Sequence, residues 1–577
     1  MHPITAAIAF SFLTSSLPAC AATSASASET ARFAVDMRDH VPRFEADRGA
    51  VGRIWRVEGS SARRERMRAC MREWIAELAK VDFEALDQGG KVDWILLKRE
   101  AEHELAELDL DEARWKGMAE LVPFAERIAT LGEARRKLQD VDAKAAAAEL
   151  DRLAKDVDDL RKSVEEKPER WPKSTGLRAS GAIRSLRADL EEWYRFGARY
   201  DPVFSWWVDQ PWKAANDALD GYAKLVREKV AKLTSDDDKT IVGDPIGDEA
   251  LVKALKHAFI AYSPEELVQI AEREFAWCET EMKKASRELG FGDDWKKAMD
   301  AVKEKHVEPG RQPALIRDLA HEAIEFFERN ELLTIPAFAK EAWRMEMMSP
   351  ERQLVSPFFL GGEAIIVSYP TDGMTHEQKR MSMRGNNAHF ARATVHHEVV
   401  PGHHLQQFMT ARHATWRRPF GTPFWTEGWA LYWETRLWDL GFQRSPEDRV
   451  GMLFWRMHRC ARIRFSLGFH LGRLSPEQCV DMLVDEVGHE RDNAEAEVRR
   501  SFNGSYEPLY QCAYMLGALQ FRALHAELVQ SGRMSERQFH DAVLTSGNMP
   551  IELLRALLAN VPVGREFATS WRFYPLR

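Results

Sequence analysis

His396-His397-Glu398-Val399-Val400-Pro401-Gly402-His403-His404 is the most informative stretch of this chain. Four histidines and a glutamate fall within nine residues, against 18 histidines in all 577. Two histidines four apart on a helix share one face and can hold a zinc ion, and a Glu beside the first then serves as general base. Here Pro401 stands where the second histidine of that spacing belongs. The residues from Asn387 to Val400 read as a helix. Pro401 lacks an N–H and clashes with the turn behind it, and Gly402 tolerates unusual backbone angles, so the helix is expected to kink or bulge there. A bulge brings His403 back to the face of His397. The rival, His404, lies seven after His397, which on a straight helix is a rise of about 10.5 Å and awkward for a single ion. His397 and His403 are therefore the expected ligands, Glu398 the base, and His404 and His396 residues that support the site from behind.

A catalytic zinc site needs a third protein ligand and one open position. Phe424-Trp425-Thr426-Glu427-Gly428-Trp429-Ala430-Leu431-Tyr432-Trp433-Glu434 supplies the candidate. Glu427 follows a loop containing Pro and Gly and opens a helix, and Glu434 lies two turns on, on the same face. Aromatic and apolar residues surround both acids, and a buried acid needs a partner. Glu427 is read as the third ligand and Glu434 as the acceptor that orients a ligand histidine. The cofactor expected is one zinc ion.

The block from Ala391 to Glu434 resembles the bacterial proteins grouped as domain of unknown function 885. Those proteins carry H-E-x-x-P-G-H-H-L-Q followed by E-G-W-A-L-Y-x-E, found here at His397 to Gln406 and at Glu427 to Glu434. Weaker likeness extends over the mature chain, through Ser263-Pro264-Glu265-Glu266, Gly468-Phe469-His470 and Gln511-Cys512-Ala513-Tyr514-Met515-Leu516-Gly517 with Arg522. The family is similar to the gluzincin metallopeptidases. The resemblance implies a mainly α, two-lobed, zincin-like helical body with a central cleft, a zinc ion at its floor and one small β-sheet. It also implies an oxyanion donor from the C-terminal part, Tyr514 first and His470 second, with Arg522 as a candidate for holding a substrate carboxylate. The expected activity is zinc-dependent hydrolysis of short peptides, of carboxypeptidase or dipeptidase type. Hydrolysis of another amide by the same residues, or a metal-binding protein without turnover, are the alternatives.

Away from the motif the pattern is helical. Leu150, Leu153, Val157, Leu160 and Val164 form an apolar stripe at spacings of three and four, the mark of an amphipathic helix. A second stripe runs Ile183, Leu186, Leu190, Trp193, and Pro172 and Gly176 between the two suggest an antiparallel hairpin. Ser263-Pro264-Glu265-Glu266 is a capping box with Pro at the first helical position, opening a helix that runs into Met282. The best strand candidate is Ala364-Ile365-Ile366-Val367-Ser368-Tyr369, β-branched and bounded by Gly-Gly and Pro. Its place shortly before the metal motif suggests an edge that pairs with substrate through Ile366, Val367 and Tyr369. His489-Glu490 reads as a surface pair.

Composition bounds the rest. A net charge of -9 with 30% charged residues gives no reason to expect a nucleic-acid partner. The six cysteines are widely spaced, which fits buried free thiols rather than a zinc ribbon or disulfide framework. Residues 1–22 read as a signal peptide, apolar or small from Ile4 to Leu17 and without a charged side chain before Glu29. Leu17-Pro18-Ala19-Cys20 also resembles a lipoprotein site, with Cys20 as the lipid-anchored residue. Export to the periplasm, free or anchored, is the expectation. No later segment has 18 consecutive apolar residues, so no transmembrane helix is expected. Residues 23–32 read as a tether, 33–235 as an N-terminal helical lobe and 236–577 as the catalytic lobe, divided at the loop between Thr234 and Glu249.

Overall fold

The structure, a computed structural model, describes residues 36–234, 240–353 and 358–576. The signal segment, the tether and Cys20 lie outside the described residues. Helices dominate, and the only named strands among the described residues are β1 (Arg344–Met347) and β2 (Ala364–Val367), paired in parallel with Met345 opposite Ile365.

The amphipathic stripes become long helices. α1 (Ala143–Glu166) buries Leu150, Leu153, Val157 and Val164, and α2 (Lys173–Gly197) buries Ile183, Leu186, Leu190 and Trp193. They do not form the simple hairpin expected of them. Both pack against α3 (Pro202–Leu225), whose Phe204, Val208, Leu219 and Tyr222 supply the apolar face each one needs. α4 (Pro264–Glu288) starts at the expected capping box. Ser263 Oγ accepts from the Glu266 amide at 3.2 Å, and Glu266 Oε2 accepts from the Ser263 amide at 2.9 Å.

Residues Asp36–Arg577 form one compact unit containing two apolar cores. The smaller joins Val57 to residues between Met118 and Val230, centred on α1 to α3. The larger joins buried residues between Met37 and Leu108 to buried residues between Leu251 and Phe573. The core boundary therefore differs from the expected division at 235/236, because the first helices bury their apolar faces with the C-terminal part of the chain. Among the described residues no helix is long and apolar enough to cross a membrane. Cys70, Cys278, Cys460, Cys479 and Cys512 are free and buried, as their spacing suggested.

Six further helices build the site. α5 (Ala388–Glu398) and α6 (His403–Thr410) carry the histidine motif. α7 (Pro423–Asp439) carries Glu427 and Glu434. α8 (Pro446–His470), α9 (Arg491–Phe502) and α10 (Tyr510–His525) complete the surround. α7 and α10 cross at two glycines, where a Cβ on Gly428 would lie 2.5 Å from Gly517 Cα. Only glycine at both positions permits that approach, and it draws the tyrosines of α10 toward Glu427.

Candidate metal centre

The helix carrying the motif stops and restarts as Pro401 and Gly402 require. α5 ends at Glu398, and α6 begins at His403. Between them the Val400–Pro401 peptide is cis. The Gly402 amide donates to the His396 carbonyl at 3.0 Å, and the Leu405 amide to the Val399 carbonyl at 3.2 Å. A Cβ at Gly402 would collide with the His397 carbonyl. The Trp429 indole of α7 pins the break by donating to the Pro401 carbonyl at 2.8 Å. The two extra residues are absorbed in this way, and His397 and His403 face each other with ring centroids 4.8 Å apart.

Glu427 closes the triangle. Its Oε2 lies 3.5 Å from His397 Nε2 and 3.3 Å from His403 Nε2, and all three side chains are buried. Ligands about 2.0–2.1 Å from a tetrahedral zinc ion sit roughly 3.3–3.4 Å from each other, so the spacing fits. The surroundings favour the same assignment. Glu434 Oε1 lies 2.6 Å from His397 Nδ1, and Gln406 Oε1 lies 3.2 Å from His403 Nδ1, which turns both Nε2 lone pairs toward Glu427. The Tyr510 hydroxyl donates to Glu427 Oε1, while the buried Oε2 has no hydrogen-bond donor. Two imidazole nitrogens and one carboxylate oxygen are a donor set suited to zinc.

The electrostatics point the same way. Burial works against a charged His397, yet the carboxylates of Glu427 and Glu434 outweigh it and raise its pKa to about 9. Burial likewise opposes charge on Glu427, and the two histidines hold its pKa well below the usual carboxylate range. The pocket thus attracts a positive charge, whether proton or metal. Glu398 is buried beside it, its pKa raised by desolvation. Gly361 lies so close to Glu398 that a Cβ there would strike the carboxylate.

These groups line a cavity of about 380 Å³. Phe358 to Gly361 form one wall, α8 contributes Trp455, Arg459 and Arg462, and α9 and the start of α10 contribute Arg500, Tyr506, Tyr510 and Tyr514. A model of a bacterial protein family of unknown function, DUF885, matches residues 54–558. The chain belongs to that family. Two solved structures share the fold of this DUF885 protein. One, described as a putative lipoprotein of unknown function from Shewanella oneidensis, covers 91% of this chain and 100% of its own at 16% identity and a TM-score of 0.68. The other, described as a putative lipoprotein from Colwellia psychrerythraea, covers 91% and 99% at 16% identity and a TM-score of 0.58. No curated protein matches the DUF885 chain.

The remaining candidate residues divide. Tyr514 is in the site, its ring 6.2 Å from that of His397 and nearly parallel to it. His404 turns away from the ligands, its Nε2 lying 2.8 Å from the Ala339 carbonyl. His396 is buried edge-on to Phe442, 5.8 Å between centroids, and burial lowers its pKa to about 4; what it supplies to the break is its carbonyl. His470 is not part of the cavity wall. It ends α8 beside Phe469 and Phe502, because a residue 11 past Arg459 on a helix has been carried out of the site along the axis. Arg522 lies on another surface, where it donates to Asp439 at 2.8 Å. β2 is a strand as expected, but Leu360 takes up both backbone groups of Ile366 at 2.7 and 3.1 Å. Ile366, Val367 and Tyr369 do not line the cavity, whose wall is instead the neighbouring Phe358 to Gly361. His489-Glu490 is no surface pair, since His489 is buried 2.7 Å from His458 Nδ1 and Glu490 lies 3.0 Å from Lys303 Nζ and 3.0 Å from Arg384 Nε.

Sequence reasoning overlooked Tyr510, Gln406, Arg459, Arg462 and Arg500. A signal existed for Tyr510, which lies four before Tyr514 and so on the same helix face. It existed for Gln406 too, inside the quoted motif. For the arginines there was none, because α8 also carries Arg449, Arg456 and Arg464, and nothing in the sequence marks Arg459 and Arg462 off from them.

Proposed function

We propose that this protein is a zinc-dependent hydrolase that cleaves peptide bonds of short peptides. The observation that carries the reading is the convergence of His397, His403 and Glu427 on one point, with Glu398 beside them in the same cavity. A ligand set alone would suit a structural site. The adjacent buried carboxylate with a raised pKa is what a general base requires.

His397, His403 and Glu427 would hold the ion. When bound, zinc supplies Lewis acidity and lowers the pKa of water to near 7. Glu398 accepts the proton of the attacking water and delivers it to the leaving amine. Glu434 and Gln406 fix the tautomers of the two histidines. Tyr510 holds Glu427 by one oxygen. Tyr514, its ring beside His397 and pressed by Arg459 and Arg462 at 4.7 and 4.3 Å, is the hydroxyl donor for the developing oxyanion.

Kinship with gluzincin peptidases and a two-lobed, cleft-bearing body belong to the same proposal, supported by the ligand set and the helical architecture. Export and lipid attachment at Cys20 are supported by the Leu17-Pro18-Ala19-Cys20 sequence and by the description of both structural neighbours as putative lipoproteins. The test of the activity is a screen of zinc-loaded protein on short peptides and on acylated amines, with Glu398→Gln as control. Peptide cleavage lost in the variant supports the reading. Cleavage of the acylated amines alone shifts it to an amidase, and no turnover of either removes it.

A further inference from the structure

Three arginines line the same cavity as the candidate metal ligands. Arg459 and Arg462 of α8 sit one turn apart on the face that also presents Trp455, and Arg500 comes from α9. Their relative exposures are 5%, 2% and 7%. Buried guanidinium groups are costly unless paired, and these are under-compensated. Glu497, itself wholly buried, serves two of them, at 2.6 Å from Arg462 and 3.6 Å from Arg500. Arg459 approaches Glu434 only to 3.7 Å, and that carboxylate is already engaged by His397. Nε of all three arginines and one terminal nitrogen of Arg462 have no hydrogen-bond partner. The aromatic faces of Tyr514 and Tyr506 cover part of the charge, Arg462 lying 4.3 Å from the first and Arg500 5.0 Å from the second. A bound divalent ion would add positive charge to the same cavity.

We propose that Arg459, Arg462 and Arg500 form an anion subsite in the metal cavity and that the substrate places a carboxylate there. The inference rests on the peptidase reading for the identity of that substrate. A carboxylate suits the site because a guanidinium offers a planar fork of donors to it. Arg462 and His397 flank one tyrosine ring, at 4.3 and 6.2 Å from its centroid. The carboxylate therefore lies no more than about three extended residues from the metal ligands. Both a chain terminus and an Asp or Glu side chain meet that description.

The experiment is calorimetric titration of full-length Glu398→Gln protein, which binds peptide without turning it over. The probes are an N-acetylated tripeptide with a free C-terminal carboxylate, the same peptide as its neutral amide, and a tripeptide amide carrying one Glu. One carboxylate probe is expected to bind at least about tenfold more tightly than the neutral amide. The probe that wins distinguishes a chain terminus from a side chain. Chelator-treated protein keeps the preference, which separates the arginines from the metal as its source. The preference falls below about threefold in Arg462→Gln and in Arg500→Gln. The second variant, farther from Glu497, keeps the test open where the first fails to fold. Equal binding of all three probes, binding of none, or a preference unchanged in a folded arginine variant overturns the subsite. Carboxylate preference without cleavage of any peptide by wild type removes the peptidase reading alone. Equal cleavage of all three probes by wild type removes the subsite alone.

Discussion

Under the proposed function, Glu398 and Tyr510 have different roles at the residue scale, and each role has its own expected loss. Glu398→Gln preserves shape and leaves the three ligands untouched. Peptide turnover should fall roughly 10²–10⁴-fold while zinc content stays at the wild-type level, measured on one preparation. Tyr510→Phe removes the donor on Glu427 Oε1. It should weaken zinc binding about 10–100-fold, as loss of a group supporting a ligand commonly does, read by competition with a chromogenic chelator. The sequence made His397, Glu398, His403, Glu427 and Glu434 legible because each lies in a short motif whose spacing encodes geometry. Arg459, Arg462 and Arg500 were not legible, since nothing local tells a buried cation from a solvated one on helices that carry several arginines each. Arg522 failed as a candidate for the same reason in reverse, its partner Asp439 being remote in sequence.

At the scale of elements, the site depends on how α5, α7, α8 and α10 are clamped together. Asp448, in the first turn of α8, ties that helix to α5. Its Oδ1 lies 2.7 Å from His389 Nδ1 and its Oδ2 lies 3.2 Å from Arg392 Nε. Burial opposes its charge, but the His389 contact, the Arg444 amide and Arg392 prevail and lower its pKa from 3.8 to about 2. A carboxyl lowered on folding stabilises the protein above its unfolded pKa and loses that contribution as pH falls toward its folded one. Asp448→Asn should therefore cost about 2 kcal/mol near pH 7. The gap from wild type should narrow as pH drops through about 4, in urea titrations at several pH values. Gly517→Ala tests the α7–α10 crossing. The added methyl meets the Phe424 carbonyl and should cost about 1–3 kcal/mol, with zinc affinity reduced because Glu427 and Tyr510 separate. Helix interiors such as α1 and α2 were readable from their stripes. Their shared partner α3 was not, because a stripe specifies that a face is buried and leaves open what buries it.

On the scale of the whole molecule, Pro401 and Gly402 show how a local irregularity serves a global arrangement. The sequence announced a break there, and α7, through Trp429, fixes where the restarted helix points. The division into cores escaped the reading because the first helices pair with segments hundreds of residues away, and periodicity carries no such information. A bound ion would join α5, α6 and α7 in the larger core, so zinc should stabilise the protein as a whole. At a free concentration of 100 times Kd the gain is about 2.7 kcal/mol. Thermal unfolding should shift upward with added zinc in wild type and stay unmoved in His403→Ala.

Under the proposed function, His397, His403 and Glu427 together make one zinc site. Elemental analysis of the purified protein and of His397→Ala, His403→Ala, His404→Ala and Glu427→Ala tests it most directly. About one zinc per chain is expected in wild type and His404→Ala, and loss of the metal in the other three. No zinc in the wild type even after incubation with the ion, or retention of zinc by folded His397→Ala, His403→Ala and Glu427→Ala proteins, would contradict it.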